Sequence, residues 1–103
     1  MVNVDLAGDR AQNPREADRI RRIVARVRAI PRGFVRTYGD IDPKAPRLVG
    51  HVLATTDEDL PWHRVVRSNG SVAVGRRQLE RLRREGVPIK GDRVDLPEAR
   101  LPD

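Results

Sequence analysis

Cysteine is absent from this 103-residue chain. No disulfide, thiolate metal site or thiolate nucleophile can therefore be built from it. Aromatic residues are almost as scarce: Phe34, Tyr38 and Trp62 are the full complement. The core must be aliphatic, and any stacking surface has to use one of these three side chains. Histidine occurs only as His51 and His63, too few for a histidine-built metal centre, so neither metal nor cofactor is expected. No apolar run approaches the roughly 20 residues that cross a bilayer, and the N-terminus lacks the apolar stretch of a signal peptide. A cytoplasmic protein with no membrane contact, and a monomer, is expected.

Positive charge is plentiful and uneven. The net charge is +6, and 35% of residues are charged. Between Leu60 and Lys90, Arg64, Arg67, Arg76, Arg77, Arg81, Arg83, Arg84 and Lys90 face only Glu80 and Glu85. Such a stripe favours a polyanion, since each neutralised phosphate releases counterions. A GC-rich genome would also enrich arginine over lysine, which occurs only at Lys44 and Lys90. The length allows one domain with one modest core.

Residues 1–12 are polar and lack periodicity, which reads as a mobile tail ahead of one domain over 13–103. Asn13-Pro14-Arg15-Glu16 supplies an N-cap, a proline at the first helical position and a glutamate three after the cap. Ile20, Ile23, Val24, Val27 and Ile30 follow at helical spacing, predicting a helix over Pro14–Ala29 that Pro31 and Gly33 end. Residues 34–38 are β-prone but short, and a single turn is expected near 39–41. Pro46 must lie in a first turn, so a second helix is predicted from about Lys44, with Leu48, Val49, Val52 and Leu53 inward. Residues 64–67 and 71–74 read as a hairpin about Asn69-Gly70, the wing of a winged helix. A last helix opens near Arg76 or Arg77, buries Leu79 and Leu82, and ends at Gly86. The segment from Val87 is expected to wrap the surface. The fold class is α+β, mainly α, and helix-turn-helix-like.

Four short segments carry more than pattern. Pro61-Trp62-His63-Arg64-Val65-Val66 resembles the active-site hexapeptide Pro-Cys-His-Arg-Val-Val of the O6-alkylguanine-DNA alkyltransferases, with Trp62 where the reactive cysteine stands. Residues 30–39 are similar to that family's Ile-Pro-x-Gly-x-Val-x-Thr-Tyr-Gly. Arg47-Leu48-Val49-Gly50 resembles its Arg-x-Val-Gly, and Glu85-Gly86-Val87 its Glu-Gly-Val. Together they run in the family order and extend the resemblance over about Ile20 to Val94. Keeping the motif while losing the thiol resembles the alkyltransferase-like proteins, which bind alkylated guanine in duplex DNA without removing the alkyl group.

That resemblance implies a set of roles. A base inside a duplex can be inspected only after it is rotated out of the stack, at a cost of about a few kcal/mol. Tyr38, with Thr37 beside it, is the implied contact to the phosphate at the rotated nucleotide. Arg47 is the implied finger that fills the vacated stack, which a long stem and planar head suit. The helix bearing Gly50 and His51 is expected in the minor groove, although Leu48 and His51 are bulkier than the family's small residues there. Trp62, His63, Tyr38, Pro61, Val74 and Gly75 are the implied lesion pocket, with Arg76 and Arg77 on its lid and on DNA. Arg64 and Glu85 form a structural network with His63. No residue is expected to be catalytic. The alternatives at single positions are ordinary: a half-buried core tyrosine at 38, a solvated arginine at 47, an exposed histidine at 51, a core tryptophan at 62.

Departures from the family are equally specific. The Tyr38–Arg47 interval is short, which reduces the first helix of the helix-turn-helix to a turn, and the lid between Gly70 and Glu85 is short as well. The implied function is non-enzymatic recognition of O6-alkylguanine, with nucleotide excision repair proteins as onward partners. A general winged-helix DNA-binding module is the alternative, and would read bases in the major groove. Catalysis would have to come from His63 with Glu85, but no serine or threonine is placed to be activated.

Overall fold

The structure is a computed structural model that describes residues 13–102; the expected tail over 1–12 lies outside the described residues. Helix α1 spans Pro14–Arg28. Asn13 caps it, its Oδ1 accepting from the amides of Arg15 and Glu16 at 3.0 and 3.2 Å. Pro14 occupies the first turn, where a missing amide costs nothing. Ile23, Val24 and Val27 are buried, and Ile20 packs beside them.

After Pro31–Gly33 the chain extends into β1 (Arg36–Thr37), which pairs in parallel with β2 (Val65–Val66), Arg36 opposite Val65. Ladders two residues long cannot hold a sheet alone. Val35, Val65 and Val66 are fully buried, and burial at about 1.5 kcal/mol per valine outweighs the ladder bonds. Alternation along β2 sends Val65 into one core and Val66 into another. The first core joins α1 to α2 (Tyr38–Ile41) and α3 (Pro46–Thr55) through Ile23, Val27, Ile30, Ile41, Val49 and Val52. The second gathers Val35, Val66, Leu82, Val87, Val94 and Ala99.

The reduced first helix of the helix-turn-helix is the single turn α2. Thr37 caps it reciprocally: its Oγ1 accepts from the Asp40 amide, and Asp40 Oδ2 accepts from the Thr37 amide, both at 3.0 Å. Arg26 donates to the Asp40 carbonyl at 2.9 Å, and Arg19 pairs with Asp42 at 3.1 Å, tying α1 to this turn. Helix α3 starts at Pro46, two residues beyond the expected Lys44.

The predicted hairpin over 64–74 is not formed. Residues 62–64 make a 3-10 turn, and β2 takes β1 as its partner. The Asn69-Gly70 turn does close, the Gly70 amide donating to the Arg67 carbonyl at 2.8 Å, but the Gly70 carbonyl accepts from Val94 at 2.9 Å. A β-carbon at Gly70 would sit 2.4 Å from the Val94 carbonyl oxygen, so this close approach needs glycine. Residues 71–74 therefore leave as a loop toward α4 (Arg76–Arg84). Gly86, with φ +82°, ends α4 in a Schellman motif: its amide donates to Arg83 and that of Val87 to Leu82, while Val87 and Leu82 meet in the second core.

The C-terminal segment is woven in rather than wrapped around. β3 (Ile89–Lys90) and β4 (Arg93–Val94) form the antiparallel hairpin of the molecule's described part. Helix α5 (Leu96–Ala99) then lies against Val35, whose amide donates to Ala99 at 3.0 Å and whose carbonyl accepts from Leu101 at 2.8 Å. Arg100 grips Asp40 through two bonds of 2.9 and 2.6 Å, and holds its carboxyl down at about 2.

Candidate nucleic-acid interface

Helices α2 and α3 bring Tyr38 and Gly50 together. A β-carbon on Gly50 would meet Tyr38 Cε1 at 3.8 Å, an ordinary contact, so the two residues are near neighbours. Between them and the loop ahead of α4 opens a cavity of about 340 Å³, lined by Tyr38, Gly50, Leu53, Ala54, Trp62, Ala73, Val74, Arg77 and Gln78. Its walls are mainly apolar, with one ionised side chain, Arg77. Tyr38 is half-buried, and burial raises the pKa of its hydroxyl against the pull of the Arg67 charge. Val74 stands 45% exposed at the rim, an apolar side chain left in solvent.

Trp62 is held by two charges. The guanidinium carbons of Arg77 and Arg81, one helical turn apart on α4, each lie 5.3 Å from its ring centroid. The ring meets the His63 imidazole edge-on at 5.9 Å. Guanidinium over indole is a favourable electrostatic contact, which offsets part of the repulsion between like charges at i and i+4.

Behind Trp62 lies a different kind of charge cluster. Glu85 accepts from Arg64 Nε at 2.8 Å and Nη2 at 2.9 Å, and sits 2.7 Å from His63 Nε2. Arg64 Nη1 donates to the Ile30 carbonyl at 2.8 Å. Arg64, then His63, hold the Glu85 carboxyl at about 2 despite its burial. Burial lowers the His63 pKa. The neutral ring thus donates from Nε2 to Glu85, and leaves Nδ1 buried without a protein partner. Gln78 completes the assembly from α4: its Nε2 donates to the carbonyls of His63 and Val65 at 3.0 and 2.9 Å, and its Oε1 accepts from Val74 at 3.1 Å.

Several expected site residues are redistributed by these contacts. Tyr38, Trp62 and Val74 line one cavity together with Gly50. His63 does not: it is 3% exposed and engaged with Glu85, so it supports the pocket from behind. Pro61 caps the 3-10 turn and stays off the cavity lining. Gly75 and Arg76 open onto a separate hollow with Arg67, Ser71 and Asp92, which leaves Arg77 as the one of the two expected lid arginines that lines the cavity beside Tyr38 and Trp62. Thr37 is 4% exposed with its hydroxyl spent on the α2 cap, which removes it from the candidate DNA contacts. Arg47 and His51 are exposed on α3. Tyr38 packs partly against the first core, as the half-buried alternative has it. Sequence reasoning missed Gln78, Leu53 and Arg81. The signal for Gln78 was its place four residues before Leu82, a polar side chain on the apolar face of α4.

The acidic run Asp57–Asp59 stays exposed, with Glu58 paired to Arg28. It offers no carboxylates to the cavity.

Comparison with known proteins agrees with this fold. The sequence profile of the 6-O-methylguanine DNA methyltransferase, DNA binding domain, matches residues 18–87. The chain is 43% identical over 82 residues to the DNA base-flipping protein of Escherichia coli (strain K12), covering 68% of this chain and 64% of that protein. It is 37% identical over 78 residues to the DNA base-flipping protein of Vibrio parahaemolyticus serotype O3:K6, covering 65% and 78%. The chain thus spans a little under two thirds of the E. coli relative. Among solved structures it is similar to S. pombe Atl1 in complex with damaged DNA containing O6-carboxymethylguanine, with TM-score 0.72, 30% identity, and coverage of 84% of this chain and 97% of that one. A second structure, S. pombe ATL in complex with DNA, superposes with TM-score 0.75 at the same identity. A family profile spanning most of the chain, and a fold shared along nearly the whole of Atl1, place this chain in the 6-O-methylguanine DNA methyltransferase DNA-binding-domain family, as an alkyltransferase-like member.

Proposed function

We propose that this protein recognises O6-alkylguanine in duplex DNA, rotates the damaged nucleotide into the Tyr38–Trp62–Arg77 cavity, and leaves the alkyl group in place. The observation that carries this is the cavity itself: Trp62, at the nucleophile position of the hexapeptide, shares one opening of about 340 Å³ with Tyr38, Gly50 and Arg77. That volume falls in the roughly 300–1,000 Å³ range of small-ligand pockets. Helix α3 would lie in the minor groove, with exposed Arg47 filling the stack and Gly50 allowing close approach.

The energetics support the step. Unstacking costs about a few kcal/mol. Stacking of a base on an aromatic ring returns about 1–3 kcal/mol, and phosphate contacts from the exposed arginines supply more. Transfer of the alkyl group is not part of the proposal, because the chain contains no thiol to accept it. The names of the base-flipping relatives, and the damaged DNA held by Atl1, point the same way. Hand-over of the marked site to nucleotide excision repair, in the cytoplasm, belongs to the same proposal. A general winged-helix reader is disfavoured by the missing wing between 64 and 74.

Electrophoretic titration at one salt concentration tests it, with matched duplexes containing O6-methylguanine or guanine. The lesion duplex should bind about tenfold tighter or more, the scale of one base-pair discrimination. Equal affinity ends the proposal, and a stable mass increase of the protein after incubation with alkylated DNA ends its non-enzymatic part.

A further inference from the structure

We infer that the cavity beside Trp62 selects O6 substituents that carry a negative charge, through Arg77 and Arg81; this deepens the function proposed above and rests on it. Arg77 is the one ionised side chain among the cavity's lining residues, and no carboxylate lines it. Arg81 stands one turn further along α4, over the same indole ring.

The nearby acids do not offset this charge. Glu85, four residues after Arg81, is engaged by Arg64 and His63. Glu80 is exposed and makes no ion pair among the described residues, and Glu58 is turned to Arg28. Arg77 and Arg81 likewise form no ion pair among the described residues, and are stabilised only by the ring they share. Two unneutralised guanidinium groups at i and i+4 repel each other. A carboxylate entering beside Trp62 would relieve that repulsion and could accept paired N–H donors from a planar guanidinium. A neutral alkyl group gains only the apolar walls of Leu53, Ala54 and Val74. Backbone phosphates are common to every duplex, so they cancel when adducts are compared in one sequence.

Competition binding at fixed salt reads the effect directly. The duplexes differ only at one guanine, which carries O6-carboxymethyl, its neutral and nearly isosteric O6-carbamoylmethyl counterpart, O6-methyl, or nothing. The carboxymethyl duplex should bind about tenfold tighter than the carbamoylmethyl duplex, the scale of one charge-assisted hydrogen bond near the surface. In Arg77→Gln that ratio should fall to about one, and in Arg81→Gln it should fall part of the way, whatever loss the two adducts share. Both side chains are exposed, and a thermal melt verifies that each variant is folded. Equal binding of carboxymethyl and carbamoylmethyl duplexes, with both still preferred over guanine, overturns this inference and leaves the function standing. No preference for any adduct over guanine overturns the function itself. A ratio that survives in both variants overturns the assignment to these arginines.

Discussion

Two populations of charge beside Trp62 obey different rules. On its inner side, Arg64, Glu85 and His63 are buried or nearly so and joined by bonds of 2.7–2.9 Å. On its outer side, Arg77 and Arg81 rest on the ring with no carboxylate partner among the described residues, and Arg47 stands exposed on α3. The inner charges are spent on one another and hold β2, α4 and the end of α1 in register. The outer charges are left without a carboxylate, as the proposed contact with DNA requires. In a chain rich in arginine, function follows from which guanidinium groups the fold leaves unpaired, rather than from their number.

Breaking the inner set should have the largest effect. Glu85→Ala strands a partly buried arginine and should cost about 3 kcal/mol of stability, seen as a drop of more than about 10 °C in Tm. Rescue by a second change, Arg64→Met, would show that the stranded charge is the cause. Unchanged melting would mean that the network does not hold the fold.

Acid should sharpen the same contrast. The folded carboxyls of Glu85 and Asp40 titrate at about 2, below their usual values of 4.5 and 3.8, and burial lowers the His63 pKa. Each depressed group binds fewer protons folded than unfolded, so its stabilisation is present above the unfolded pKa and lost as pH falls toward the folded one. For Glu85 this amounts to about 3 kcal/mol between roughly pH 5 and 2, with His63 adding a loss that begins below about pH 6.5. Urea unfolding at pH 7, 5 and 3 should trace that decline, and Glu85→Gln should flatten its lower part.

Gln78→Leu removes a side chain that joins the two regions. It leaves two carbonyls and the Val74 amide without their partner, and should cost about 2 kcal/mol. Because Val74 is at the cavity rim, lesion binding should weaken beyond the loss in stability, as read in titrations well below the melting range. Arg47→Ala should have the smallest effect on the fold, with Tm held within about 2 °C, while lesion binding weakens about tenfold. A matching fall in Tm would transfer Arg47 to the inner set.

Legibility followed the range of the interactions. Asn13, Pro14 and the stripe from Ile20 to Ile30 fix α1 through contacts within four residues, and its predicted end at Ala29 is the C-cap. The Gly86 stop was readable for the same reason. The hairpin over 64–74 failed because its turn signal was real but its partners were elsewhere: β1 lies about 30 residues back, and Val94 about 24 ahead of Gly70. The C-terminal segment was underestimated because β4 and α5 complete a core whose other members, Val35 and Val66, come from distant parts of the chain. At the site, the motif marked Trp62, His63 and Tyr38 but could not divide wall from support.

The sequence by itself determined the absence of a thiol, the helix caps, the apolar stripes and the motif order that points to the family, since all of these are written in residue identity and short spacing. Only the tertiary structure decided that β2 pairs with β1, that Arg64 also bonds the Ile30 carbonyl, and that Arg77 rather than Arg76 lines the cavity. The physical reason is that a buried charge takes the partner the packing brings within about 3 Å, and packing joins residues whose separation along the chain carries no trace of the contact.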